Sequence, residues 1–204
     1  MEKFSTLTSV AAPMMQSNVD TDIIVPMDRM VTADRNAMHT FAFEPWRFLS
    51  DGSENPDFVL NRDPFRGAKI LLTGKNFGCG SSREGAVWAI AGLGIRCLIG
   101  SSFGNIFYNN CFQNGILPIK LPIDIIEDFT TLANSGGNAA VFEVDLDKCL
   151  IMPSSGDPVP FDIEPNRQTQ LLEGLDDVGV TLKRRGEIEQ FRELDRRNRP
   201  WIYV

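Results

Sequence analysis

Between Ala68 and Leu121, three short apolar runs alternate with two segments of helical pattern, with glycines at the junctions. Ala68–Thr73, Ile95–Ile99 and Ile116–Leu121 read as strands. Ser82–Leu93, ended by Gly92 and Gly94, and Phe103–Gln113, stopped by Gly115, read as helices. Strands joined through helices run parallel, because a parallel pair needs a long crossover. The stretch therefore predicts βαβαβ units in an α/β fold, a small and largely parallel sheet flanked by helices. Downstream, Ile125, Ile126, Phe129 and Leu132 keep helical spacing. Val141–Val144 and Cys149–Met152 flank Asp145-Leu146-Asp147-Lys148 and read as a hairpin. Extra C-terminal helices are expected near 165–174 and 183–196, the last charged and solvated. Upstream, residues 14–26 mix strand-like residues with a polar cluster, residues 27–66 are rich in charge, aromatics and turn formers, and Asp51–Pro56 is a loop. The 204 residues are expected to form one domain: 1–66 with N-terminal strands and a substrate loop, a 67–122 core, and a 123–204 segment of helix, hairpin and C-terminal helices.

Charge and cysteine usage exclude several function classes. With 20 basic and 27 acidic side chains, the net charge of −7 argues against nucleic acid or an anionic membrane as partner. The longest apolar run, Ala86–Ile95, stops at Arg96 and is too short to span a bilayer. The first residues lack the apolar stretch of a secretory signal, so the cytoplasm is expected. The four cysteines, Cys79, Cys97, Cys111 and Cys149, form no CxxC, and His39 is the single histidine. That spacing predicts no metal site on this chain and free thiols instead, with Cys79 set apart by its place in a glycine turn.

That turn, Gly78-Cys79-Gly80-Ser81-Ser82-Arg83-Glu84, delivers two hydroxyls and a guanidinium to a helix start. Helix starts present unpaired N–H groups and a positive dipole end, which together attract anions. Two readings stand side by side. Ser81 and Glu84 fit the S-x-x-E capping box, in which Ser81 only starts the helix. Alternatively, Ser81 and Arg83 bind and act on a carboxylate; an Arg is out of place in a first helical turn unless it holds an anion. Dinucleotide binding is excluded, since Arg83 stands where the third glycine of G-x-G-x-x-G belongs and no acid ends the next strand.

Asn76-Phe77-Gly78-Cys79-Gly80-Ser81-Ser82-Arg83-Glu84 closely resembles the signature of the aconitase family's swivelling domain. Asn18-Val19-Asp20-Thr21-Asp22, the 55–61 segment Asn-Pro-Asp-Phe-Val-Leu-Asn, Ser102-Phe103-Gly104-Asn105-Ile106-Phe107-Tyr108 and Gly174-Leu175-Asp176-Asp177-Val178-Gly179 resemble the family's isopropylmalate-dehydratase branch, in order and over nearly the whole chain. The resemblance implies a swivelling domain serving as the small subunit of a two-chain hydro-lyase. A large subunit would carry a 4Fe–4S cluster on three cysteines, with no cofactor on this chain, and the reaction would move a hydroxyl between adjacent carbons of 2-isopropylmalate through an alkene, toward leucine. By the same resemblance Ser81 matches the family's serine base and Arg83 its carboxylate-binding arginine, with Ser82 orienting the pair or the substrate. Asp20, Thr21 and Asp22 match a motif near the family's site; an Asx-type turn is the competing reading.

Substrate choice in such proteins resides in the loop after the first strands, here about Met27 to Asn36. Met27, Met30 and Val31 would contact an isopropyl group, methionine suiting an irregular apolar pocket. Arg29 and Arg35 would instead hold a third carboxylate or simply face water. Many relatives have His after Arg-Glu, where this chain has Gly85; the substitution leaves citraconate, 2-methylmalate or homoaconitate open as substrates and suggests that something packs close. A non-catalytic carboxylate-binding module is the remaining alternative.

Overall fold

The computed structural model describes residues 1–81 and 83–203. Seven strands form one sheet in the order β4-β3-β2-β1-β5-β6-β7: β1 Thr6–Met14, β2 Ile70–Thr73, β3 Cys97–Gly100, β4 Leu117–Lys120, β5 Val141–Asp145, β6 Leu150–Pro153 and β7 Val159–Pro160. The helices are α1 Thr21–Ile24, α2 Met27–Thr32, α3 Glu44–Arg47, α4 Glu84–Gly92, α5 Asn105–Gln113, α6 Ile123–Asn134, α7 Pro165–Glu173, α8 Asp177–Leu182 and α9 Arg185–Asn198. A 3₁₀ segment, Arg35–Phe41, lies along α4. No helix among the described residues is long and apolar enough to cross a membrane.

The β2-to-β4 stretch forms the predicted parallel core. β2, β3 and most of β4 are buried, with Ile70, Leu71, Leu72, Leu98, Ile99 and Leu117 at 1% exposure or less. Both faces are covered by helices, which is why these strands read as unbroken apolar runs without alternation. Helix α4 starts two residues later than the pattern suggested and α5 likewise, the extra residues belonging to the turns that precede them. The expected hairpin forms, β5 pairing antiparallel with β6. Its turn is tied by Asp145, whose carboxylate accepts from the Lys148 backbone N–H at 3.0 Å and from Nζ at 2.8 Å. Those bonds from Lys148 hold the Asp145 pKa below the usual carboxylate range. Helix α9 has no buried residue, as its charge pattern predicts.

The strand that the sequence does not announce is the central one. β1 changes partners along its length: Ala11–Met14 pair in parallel with β2, whereas Thr6–Val10 pair antiparallel with β5. Its first half alternates exposure and its second half is mostly buried, so neither strand pattern extends through the whole run. Pro13 also argues against a central strand, since it has no N–H to give a ladder. Pairing with β5 ends at Val10, however, so β1 is paired on one side only where Pro13 occurs. The sheet is thus a parallel half and an antiparallel half sharing β1.

The loops leaving β2 and β3 touch behind the strand ends. Phe77 N–H donates to Ser102 O at 3.1 Å and Gly104 N–H to Phe77 O at 2.9 Å. A Cβ at Gly104 would come within 2.3 Å of the Gly78 carbonyl oxygen, a backbone atom with no room to move aside. Gly104→Ala is therefore expected to destabilise the fold by about 2 kcal/mol through overpacking, read as a lowered urea midpoint at unchanged m-value; an unchanged midpoint would contradict this close approach.

Candidate active site

The glycine turn is held from two sides by backbone hydrogen bonds. On one side the chain leaving β1 runs beside it: Asn18 N–H donates to Lys75 O at 2.8 Å, Gly78 N–H to Val19 O at 2.7 Å, and Thr21 N–H to Cys79 O at 3.0 Å. On the other side lie the Ser102–Gly104 contacts already described, to which Ser102 Oγ adds a bond from Asn76 N–H at 2.9 Å. Inside this clamp the backbone takes conformations with positive φ at Asn76 (60°), Gly78 (69°) and Gly80 (87°). Gly78 is needed for space as well, since a Cβ would lie 2.3 Å from the Phe107 ring. Gly80 is needed for its dihedral, since a Cβ there would make only ordinary contacts with Asp20 and Thr21 while an L side chain would be strained at that φ.

The triplet Asp20-Thr21-Asp22 is brought against this turn, and each residue has a separate task. Asp20 caps α1, its carboxylate accepting from Ile23 N–H at 2.8 Å, so the Asx-type reading holds for that residue. Thr21 is buried and its hydroxyl donates to Ser81 O at 3.0 Å, pegging the backbone that carries the Ser81 side chain. Asp22 forms an ion pair with Arg83. Arg83 is the anion-seeking group the sequence singled out, and in this structure its first anion is a side chain of the same chain.

Helix α4 starts differently from the capping-box pattern. Its N-cap is Arg83, not Ser81, and no side chain caps it among the described residues. The Glu84 carboxylate accepts from Asn114 Nδ2 at 2.9 Å rather than from the backbone near Ser81. Ser81 is exposed, while the Arg83 side chain is only 13% exposed. Ser82, expected beside them, lies outside the described residues. Two concave surfaces, of about 390 Å³ beside Trp46 and Arg62 and about 890 Å³ beside Lys75 and Thr131, include neither Ser81 nor Arg83. Ser81 thus stands at the surface, while the Arg83 guanidinium is largely covered and paired with Asp22.

The substrate-loop residues fall into two groups. Arg29 closes its fork on Glu44, donating from Nε at 2.9 Å and from Nη2 at 2.8 Å. Arg35 donates to Asn114 Oδ1 at 2.8 Å and lies 4.9 Å over the Trp88 ring. Both arginines have partners within the chain. Met27 and Val31 are exposed at 56% and 80%, while Met30 is half-buried beside Gly85. The residues that sequence reasoning passed over are Glu44, Asn114 and the Asn18–Asn76 pair, whose side chains bond at 2.9 Å. Only Asn18 and Asn76 leave a local signal, lying within the quoted motifs; Glu44 and Asn114 gain their partners from distant parts of the chain.

Cys97 and Cys111 are fully buried, and burial pushes both thiols up, well above the ordinary range. Cys79 and Cys149 are half-buried and lie on separate elements. Among the described residues no group of three or more His, Cys, Asp or Glu side chains is placed to hold a metal ion. Among the described residues the cysteines are not grouped as ligation of an iron–sulfur cluster requires.

Comparison with known proteins agrees over the full length. Residues 1–124 match the aconitase C-terminal domain family. The 3-isopropylmalate dehydratase small subunit of Paramagnetospirillum magneticum is 50% identical over 202 residues, covering 99% of this chain and 100% of that protein. The protein of the same name from Paracoccus denitrificans is 46% identical over 202 residues, with the same coverage. A crystal structure of 3-isopropylmalate dehydratase from Methanocaldococcus jannaschii superposes with a TM-score of 0.66 at 26% identity, covering 92% of this chain and 99% of that one. With the family's domain across more than half its length and such relatives across nearly all of it, the chain belongs to the aconitase C-terminal domain family, among the 3-isopropylmalate dehydratase small subunits.

Proposed function

We propose that this chain is the swivelling small subunit of a two-chain hydro-lyase that interconverts 2- and 3-isopropylmalate in leucine biosynthesis, with Ser81 as the base and Arg83 as the anchor for a substrate carboxylate. The observation that carries the reading is the placement of an exposed Ser81 and an Asp22-paired Arg83 on a turn clamped by backbone hydrogen bonds from two sides. Half a site of this kind needs a partner to close it and to exclude water. The chain acts as one swivelling domain, in the cytoplasm, on a small hydroxy diacid, and neither nucleic acid nor membrane takes part.

Dehydration takes a proton from the carbon beside a carboxylate and a hydroxyl from the neighbouring carbon. Arg83 has five N–H donors, so it holds a substrate carboxylate while keeping Asp22 as its counter-ion. Asp22 thereby fixes the direction of the fork. Thr21 fixes Ser81 through the backbone, which sets where the hydroxyl meets the substrate proton. The start of α4 and the Arg83 guanidinium favour the alkoxide form of Ser81, which takes the substrate proton and becomes the neutral hydroxyl. A 4Fe–4S cluster on the large subunit would supply the Lewis acid for the departing hydroxyl. The exposed Met27 and Val31 and the half-buried Met30 make the loop apolar where an isopropyl group would lie. A substrate with a third carboxylate, such as homoaconitate, would need a free cation there, and Arg29 and Arg35 are already engaged.

Ser81→Ala is expected to keep its melting temperature and its KM but to lower kcat of the assembled enzyme by about 10²–10⁴-fold. Arg83→Lys should raise KM and lower kcat, about tenfold each, because an ammonium does not reproduce a bidentate fork. Steady-state kinetics beside thermal melts checks both; a Ser81→Ala variant that turns over normally and only melts earlier would return Ser81 to a purely structural role. The chain alone should give no alkene absorbance with 2-isopropylmalate, and titration with a cluster-bearing large subunit should restore it to saturation. Turnover by the chain alone would refute the two-chain reading, and binding of the diacid without turnover in any complex would leave a carboxylate-binding module.

A further inference from the structure

Helix α4 carries two glycines, Gly85 and Gly92, seven residues apart and so on one face of the helix. Gly85 is met by Met30 of the substrate loop and Gly92 by His39 of the following 3₁₀ segment. A Cβ at Gly85 would lie 2.5 Å from Met30 Sδ and 3.3 Å from its Cγ. A Cβ at Gly92 would lie 2.5 Å from His39 Cβ. The loop from α2 through the 3₁₀ segment thus rests directly on the α4 backbone at two points two turns apart. The contacts differ in kind. His39 meets Gly92 with an atom next to its own backbone, so that contact is rigid. Met30 meets Gly85 with the flexible part of its thioether chain, so that contact adjusts.

Met27, Met30 and Val31 are spaced i, i+3, i+4 and share one face of α2. Met30 is the member of this face that packs on α4, while Met27 and Val31 remain exposed. Gly85 lies two residues beyond Arg83, so the Met30 thioether that fills the space left by its absent side chain sits beside the turn that bears the carboxylate anchor. We propose that Gly85 is a specificity-determining position: by admitting Met30 onto the first turn of α4 it sets the depth of the apolar wall that receives the alkyl group of a branched 2-alkylmalate. Gly85 acts through Met30 as a positioning residue. The proposal rests on the isopropylmalate reading and adds to it the element that measures the alkyl group.

The test uses the complex reconstituted with the large subunit, in wild type, Gly85→Ala, Met30→Ala and the double variant. Each is assayed on 2-isopropylmalate, with 2-methylmalate as the short-chain substrate or competitor. Gly85→Ala is expected to keep the melting temperature, since Met30 can shift, and to lower selectivity for the isopropyl over the methyl acid about tenfold, mainly in KM, as expected for misplacing one or two methyl contacts. Once Met30 is removed, adding Gly85→Ala should change selectivity little further, so the two substitutions are non-additive. Unchanged selectivity in Gly85→Ala, or additive losses in the double variant, would overturn the proposal. A wild-type complex inactive on 2-isopropylmalate would instead sink the isopropylmalate reading, and this inference with it, a failure seen in the wild-type arm alone.

Discussion

The parallel pairing of β1 with β2 does not end at the edge of the sheet. It continues as main-chain bonds between residues 18–21 and 75–79, with Asp20 opposite Cys79, well past the last strand residues Met14 and Thr73. This extension is what the candidate site depends on. A glycine turn with three residues at positive φ would be floppy in isolation, because glycine gives up more conformational freedom on ordering than any other residue. Bonded on one side to the chain leaving β1 and on the other to the chain leaving β3, it has one arrangement. The Ser81 backbone is held further by the Thr21 hydroxyl, and the Arg83 side chain by Asp22.

The same extension explains the charge of the site. The chain is acidic overall, yet Arg83 is positioned at a helix start, where a cation is disfavoured by the helix dipole. Asp22, delivered by the β1 extension, offsets that cost and keeps the guanidinium oriented. The arginines of the α2 segment and the 3₁₀ segment are partnered too, Arg29 by Glu44 and Arg35 by Asn114 and the Trp88 ring.

Glycine has three different uses around the turn. Gly80 supplies a dihedral, Gly104 lets two loops touch backbone to backbone, and Gly85 makes room for a methionine from a segment more than fifty residues away. In sequence all three are the same letter. Only at the last is the vacated space filled by a side chain from the α2 segment.

The apolar runs of β2, β3 and β4, the intervening helices and the α6 spacing were legible because a strand buried on both faces and an amphipathic helix each impress a period on the residues themselves. The glycine turn and its Ser–Arg pair were legible for a related reason: positive φ and anion binding demand particular residue types at particular offsets. β1 was not legible. Its two halves have different neighbours and different burial, and its Pro13 is tolerated only because β5 has already ended there. Nor did local sequence separate the tasks of Asp20, Thr21 and Asp22, or choose between the capping box and a free Ser81. Those outcomes depend on contacts some sixty residues apart in the chain, Thr21 with Ser81 and Asp22 with Arg83. What the sequence by itself determined was the repeating α/β frame and the chemical groups of the turn, both of which follow from local periodicity and backbone sterics. Which of those groups is held, which is neutralised and which is left open was decided by tertiary structure, since a carboxylate or a carbonyl acquires a partner only when the fold brings one within hydrogen-bonding distance.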